Sequence, residues 1–259
     1  MNGDGKMLVL HRKKHGINFY TVWFADKPLK KNGIITYREY MGGEAPQGST
    51  RFDTLITDLS ETEEEIKKRF SKNCRYYVNR ASREDITVEM KSGREIKDSD
   101  IDEFLDFFRE FWESKGTKLS NYEKLRQELV AYKNKQALAI TYAYLNGEKV
   151  VYHTHIVNEE IVRLLHSASL YRLQEDDDGK IKNLIGIANR YLHYEEMVYF
   201  KSKGKIRYDW GGAGMSEEVV HITEFKKSFG GTPAVFYDYE QTKGIMAVLF
   251  KRVVKMIGR

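Results

Sequence analysis

An aspartate followed at once by a run of glycines is the arrangement in this chain best suited to chemistry. Tyr208-Asp-Trp-Gly-Gly-Ala-Gly214 places Asp209 beside Gly211, Gly212 and Gly214. Glycines let a ligand approach the backbone, and their N–H groups can serve as donors. The plainer alternative is that Asp209 caps the next turn and the glycines only make the bend. Lys226 stands in Phe225-Lys-Lys-Ser-Phe-Gly-Gly231. It could place a cation near a reacting carbonyl or a phosphate, with Phe225 and Phe229 as core anchors at i, i+4. Otherwise it is a solvated lysine like Lys227. His153 and His155 alternate, so they share one face of a strand. His155 is the better candidate for a general base and His153 for a substrate contact, unless both are imidazoles with satisfied hydrogen bonds. No third ligand accompanies the pair at convincing spacing, so no metal site is expected. Lys72, Arg75, Arg80 and Arg83 surround Tyr76-Tyr77. Arg75 and Arg80 could hold a phosphate, or this is a solvated face balanced by Glu84 and Asp85. Cys74 has no adjoining histidine motif and is not expected to be a nucleophile.

These residues need elements to position them. Short strands rich in aromatic and β-branched residues are expected at 19–24, 33–40, 52–57 and 86–90. Ser60 with Glu63 has the capping-box spacing and predicts a helix running on to Arg80. Asp98 or Ser99 should cap an amphipathic helix carrying Ile101, Phe104, Leu105, Phe108, Phe111 and Trp112, ending at Gly116. Ser120 with Glu123 predicts another helix to about Lys133. Strands at 137–144, 150–157 and 161–168 form an antiparallel meander, its first turn marked by Asn146-Gly147. A long helix from Ile181 to Lys203 should end at Gly204. A strand at 206–210, a short helix at 219–228, a strand at 234–239 and a C-terminal helix complete the chain. Helices on a mostly antiparallel sheet make the fold α+β.

Composition bounds the rest. The 259 residues carry 43 Lys and Arg against 38 Asp and Glu, a formal +5. That permits an anionic partner without requiring one. One cysteine in 259 residues excludes an internal disulfide framework and suits a reducing, cytoplasmic setting. No apolar run approaches ~18 residues, and Met1 to Lys6 is too polar for a signal peptide.

The element order is similar to the acyltransferase fold of the GNAT superfamily. Tyr208-Asp-Trp-Gly-Gly212 followed by Phe225-Lys-Lys-Ser-Phe-Gly-Gly231 resembles the paired signature of FemAB-like transferases and of acetyltransferase-like proteins of polysaccharide gene clusters. Arg75-Tyr-Tyr-Val-Asn-Arg-Ala81, followed by Ile86-Thr-Val88, resembles a further element of those families. The resemblance covers roughly Ser60 to Tyr239. It implies a GNAT-like acyltransferase domain at 91–240 and an N-terminal degenerate GNAT-like half or subdomain at 1–90, while the residues of 241–259 themselves suggest a separate basic amphipathic helix. It further implies Asp209, Lys226 and His155 as catalytic groups. Arg75, Arg80, His153, Tyr208, Gly211, Gly212 and Phe225 would contact substrate. The reaction would be transfer of an acyl or aminoacyl group to an amine of a cell-envelope glycan or its precursor. Acyl-CoA or aminoacyl-tRNA would be co-substrate, with no tightly bound cofactor. The acceptor would be an amino sugar or a lipid-linked glycan. The usual coenzyme A loop is absent. Its place reads Gln174-Glu-Asp-Asp-Asp-Gly179, where three aspartates would repel a pyrophosphate. The competing reading is a non-catalytic RNA-binding or scaffold protein on the same fold.

The C-terminal segment carries a separate expectation. Ile245, Met246, Leu249, Val253 and Met256 recur at helical spacing among Lys243, Lys251, Arg252, Lys255 and Arg259, with no acidic residue between. Such a helix could rest on an anionic membrane surface on the cytoplasmic side, or pack on the protein's own core.

Overall fold

The computed structural model describes residues 7–173, 179–214 and 220–257. The acidic stretch 174–178, the first residue of the expected short helix (Val219) and Arg259 lie outside the described residues. The chain divides into two compact units, residues 1–54 with 233–259, and residues 55–232. The divide therefore falls at 54/55 and 232/233 and not at 90 and 240. The helices and the strand between 63 and 92 join the larger unit, because that strand pairs along its whole length with the first strand of the meander.

In the smaller unit, β1 (Leu8–Lys14) pairs antiparallel with β2 (Ile17–Trp23). The strand β2 runs parallel to β3 (Gly33–Tyr40), and β3 pairs antiparallel with β10 (Thr232–Lys243). Val22, Ile35, Tyr37 and Tyr40 of these strands form one core with Ala25 of the loop after β2. The helix α7 (Ile245–Ile257) seats Ala247 and Phe250 on Ile17, Phe19 and Ile34.

The larger unit is built on six strands. They are the end of β4 (Thr50–Asp58), β9 (Arg207–Asp209), β8 (Ile161–Ser169), β7 (Glu148–Val157), β6 (Leu138–Leu145) and β5 (Ile86–Ser92), in that spatial order. Only the β8–β9 pair is parallel. The helices are α1 (Glu63–Arg69), α2 (Lys72–Ala81), α3 (Asp98–Glu113), α4 (Tyr122–Asn134), α5 (Lys180–Ser202) and α6 (Val220–Lys227). The α+β expectation and the meander with its long following helix hold. On α3, Ile101, Phe104 and Leu105 are completely buried. Burial of each such side chain contributes about 1.5–3 kcal/mol.

Three local expectations are corrected. The helix cap is Thr62, not Ser60: Thr62 and Glu65 form the reciprocal box, while Ser60 hydrogen-bonds back to Asp58. The single helix to Arg80 is two, because the chain turns at Phe70 to bury that ring against Phe229, and Ser71 recaps α2. Ser120 does not cap α4. Asn121 takes that position in a left-handed conformation without a side-chain cap.

Candidate active site

The parallel pairing of β8 and β9 lasts only three residues, from Ile161↔Arg207 to Arg163↔Asp209. Beyond it β8 continues to Ser169 on the β7 side, while β9 gives way to the glycine turn. The divergence of two parallel strands leaves a gap that a sheet would otherwise close. Gly211 sits at its apex with φ +67°, where a Cβ would lie 2.1 Å from the Leu164 carbonyl oxygen. Only glycine fits both the backbone conformation and this approach. Gly211→Ala is expected to cost about 2–4 kcal/mol, read from the urea midpoint at unchanged slope. Gly204→Ala, at φ +79° with open space around it, should cost only about 1–2 kcal/mol. Equal losses at both sites would refute the close approach.

A cleft of about 860 Å³ opens beside this point. Leu164, Ser167 and Ser169 of β8 line one side, Asn189 and His193 of α5 another, and His221, Ile222, Phe225 and Lys226 of α6 a third. Phe111, Lys115, Tyr171 and Arg172 stand around it as well. No carboxylate is among the described lining residues.

Lys226 is 8% exposed. Its Nζ donates to the Gly212 carbonyl at 2.8 Å, which ties α6 to the glycine turn. Burial, with the nearby charge of Arg163, pushes its ammonium down to about 8, against an opposing pull from Asp209. Near neutral pH this is a cation poised to lose its proton.

Asp209 is also buried, and its Oδ1 accepts the Gly211 N–H at 2.8 Å. The Gly211 N–H is thereby committed inside the turn and not offered to a ligand. Asp209 acts on the cleft through the turn it holds and through its charge near Lys226.

His153 and His155 do not reach the cleft. Both are completely buried between β7 and α5, around the equally buried Glu196. The expected roles of His155 as general base and His153 as substrate contact are therefore corrected, since α5 covers that face of the meander. His153 Nδ1 lies 2.7 Å from Glu196 Oε1, and His155 Nε2 lies 3.3 Å from Oε2. Tyr208 donates to Oε2 at 2.7 Å and Thr141 to Oε1 at 2.5 Å, so Tyr208 is also an interior residue and not a substrate contact. The donor atoms of His153, His155 and Glu196 lie within 4.8 Å of one another. The 2.7 Å contact is a hydrogen-bond distance. Two ligands on one tetrahedral zinc would stand roughly 3.3 Å apart. In this structure the three side chains are joined by short polar contacts, and Glu196 is the third potential ligand that sequence spacing did not supply.

The residue that joins this interior to the cleft is one that sequence reading passed over. His193 borders the cleft, and its Nδ1 faces Glu196 Oε2 at 3.2 Å and the Tyr208 hydroxyl at 3.0 Å. Its Nε2 makes no hydrogen bond among the described residues and is the nitrogen left to the cleft. Burial, with the charge of His153, pushes His193 down to about 3, so the ring is neutral. One turn away, Asn189 reaches His153 Nε2 at 3.0 Å. The chain of contacts thus starts and ends at the cleft. The spacing of Asn189, His193 and Glu196 at i, i+4 and i+7 was the available signal.

Arg75 and Arg80 are engaged elsewhere. Arg75 donates to the carbonyls of Lys68 and Phe70, both at 2.6 Å, bracing the α1–α2 turn. Arg80 pairs with Glu84 at 2.8 Å. Neither lines the cleft. Cys74 is buried, and burial pushes its thiol up to about 11, which keeps it inert.

No protein-family model and no curated protein sequence matches the chain. Solved structures do. FemX superposes with a TM-score of 0.55 at 14% identity, over 78% of this chain and 63% of that one. A conserved protein of unknown function from Bacteroides thetaiotaomicron VPI-5482 gives 0.54 at 13%, over 93% and 84%. L-PGS from Bacillus licheniformis gives 0.51 at 16%, over 99% and 88%. The chain thus spans less than two thirds of FemX. The likeness establishes the fold, which is the one seen in FemX and L-PGS.

Proposed function

We propose that this chain transfers an acyl or aminoacyl group to an amine of a cell-envelope glycan or its precursor. The observation that carries the reading is the pairing, in one cleft, of the Lys226 ammonium with the Glu196-backed imidazole of His193. Amide formation needs a proton removed from the attacking nitrogen and a charge beside the developing oxyanion. His193 Nε2 accepts the proton as the C–N bond forms, and Glu196 offsets the imidazolium. The imidazolium then gives its proton to the departing oxygen or sulfur of the donor. Lys226 stabilises the oxyanion until the tetrahedral centre collapses. The donor is an activated ester or thioester, acyl-CoA or aminoacyl-tRNA, taken up as co-substrate. The acceptor is an amino sugar or a lipid-linked glycan bearing a free amine.

The purified chain, incubated with labelled acyl-CoAs or charged tRNAs and amino-sugar acceptors, is expected to form labelled amide. His193→Gln keeps a donor toward Glu196 but lacks the base. It should lower kcat by ~10²–10⁴-fold with little change in KM. Transfer that survives the substitution would remove His193 from the chemistry. Salt-sensitive RNA binding without transfer from any donor would replace this reading with a non-catalytic RNA-binding one.

A further inference from the structure

The smaller unit holds the whole positive surplus of the molecule. Residues 1–54 and 233–259 carry 14 Lys and Arg against 7 Asp and Glu, a formal +7. Residues 55–232 carry 29 against 31, a formal −2. At the end of that basic unit lies α7, and its packing is one-sided. Ala247 is 4% exposed and docks the helix with Phe250. Ile245 is 80% exposed, Met246 68%, Leu249 49%, Val253 47% and Met256 70%. At the angular step of a helix these five fall within an arc of about 100°. The core of this unit therefore leaves the apolar stripe uncovered.

A basic flank borders the stripe. Lys251, Arg252 and Lys255 are all exposed, and the described part of the helix contains no acidic residue. Lys251 pairs with Glu240. Arg12, set over the Phe19 ring at 5.3 Å, lines a groove with Lys251, Phe250 and Val254. An exposed apolar stripe beside the exposed cations Arg252 and Lys255 is complementary to a surface with apolar depth and anionic headgroups. A thirteen-residue helix lies on such a surface and does not cross it. No described helix is long and apolar enough to cross a membrane.

We infer that the apolar stripe and basic flank of α7 form a docking surface for an anionic lipid bilayer. The helix lies in the headgroup plane, with Ile245, Leu249 and Met256 entering the acyl boundary and Arg252 and Lys255 among the phosphates. This inference stands apart from the catalytic reading, because none of its residues lines the cleft of the larger unit.

Co-sedimentation of the full chain with vesicles tests it. Binding is expected to vesicles containing phosphatidylglycerol, to weaken with added salt, and to be slight on pure phosphatidylcholine. Arg252→Gln with Lys255→Gln should weaken binding roughly 25-fold, at about 1 kcal/mol per cation. Leu249→Ser with Met256→Ser should abolish insertion, measured by quenching of a probe attached to α7. These side chains are exposed, so circular dichroism should show both variants folded. Failure of the folded chain to bind phosphatidylglycerol vesicles would overturn the inference. So would equal binding by the variants, or a dimer in sedimentation equilibrium that Leu249→Arg dissociates, which would make a second copy the occupant.

Discussion

Lys226→Ala is expected to lower turnover by ~10²–10³-fold while leaving the unfolding free energy within about 1 kcal/mol of the parent. The activity loss follows from removing a preformed charge in a site where 8% exposure limits screening by water. Stability changes little because two effects oppose. The substitution gives up the hydrogen bond to Gly212 and also relieves the burial of a cation. The pH dependence has a definite sign. With its ammonium pushed down to about 8, the folded protein loses a proton that the unfolded chain keeps up to the ordinary value of 10.5. Between these values the unfolded state binds more protons, so stability rises with pH. Activity moves the other way, since the neutral amine cannot oppose an oxyanion. Turnover should fall above about pH 8, and the residual activity of Lys226→Ala should lack that limb. A limb unchanged in the variant would show that Lys226 is not the group whose titration sets it.

Glu196→Gln is expected to destabilise the protein by about 3–5 kcal/mol, measured by urea unfolding at pH 7. The carboxylate accepts from Thr141 and Tyr208 and faces three histidines, all of them buried. An amide cannot accept from all of them, and it leaves buried donors unpaired. Burial alone would raise this carboxyl, but the charges and hydrogen bonds of His153 and His155 outweigh it and hold it well below 4.5. Its contribution is complete above the unfolded value and is lost as pH falls below it. Two histidines add to the acid sensitivity. Burial pushes His193 down to about 3 and His166 to about 4, each from 6.5. The unfolded chain therefore binds protons first, and stability falls as pH drops below 6.5, by roughly 1.4 kcal/mol per unit for each group. A parent protein equally stable at pH 7 and pH 4.5 would contradict this arrangement.

Local pattern and short-range geometry carried most of the fold. The turn Asn146-Gly147, the strand runs of the meander and the apolar periodicity of 180–202 are signals set within a few residues, and the elements formed where those signals lie. The same holds for α7, whose exposed stripe could be read as a stripe but not as exposed. The glycine turn after Asp209 was legible because backbone conformation restricts residue type there, whereas Lys226 stood out from Lys227 only through the resemblance of its segment to a family motif. Which groups meet was decided by tertiary structure. His153 and His155 alternate on a strand as expected, yet a covering helix turns their face into the interior. Arg75 and Arg80 read as anion ligands, but neighbouring carbonyls and Glu84 engage them. His193 carries no motif, because its role depends on Glu196 from its own helix, Tyr208 from a strand fifteen residues on, and a cleft made by two diverging strands. Alternation fixes which side of a strand a residue takes. Only the packing of α5 onto the meander determines whether that side meets water or a buried carboxylate.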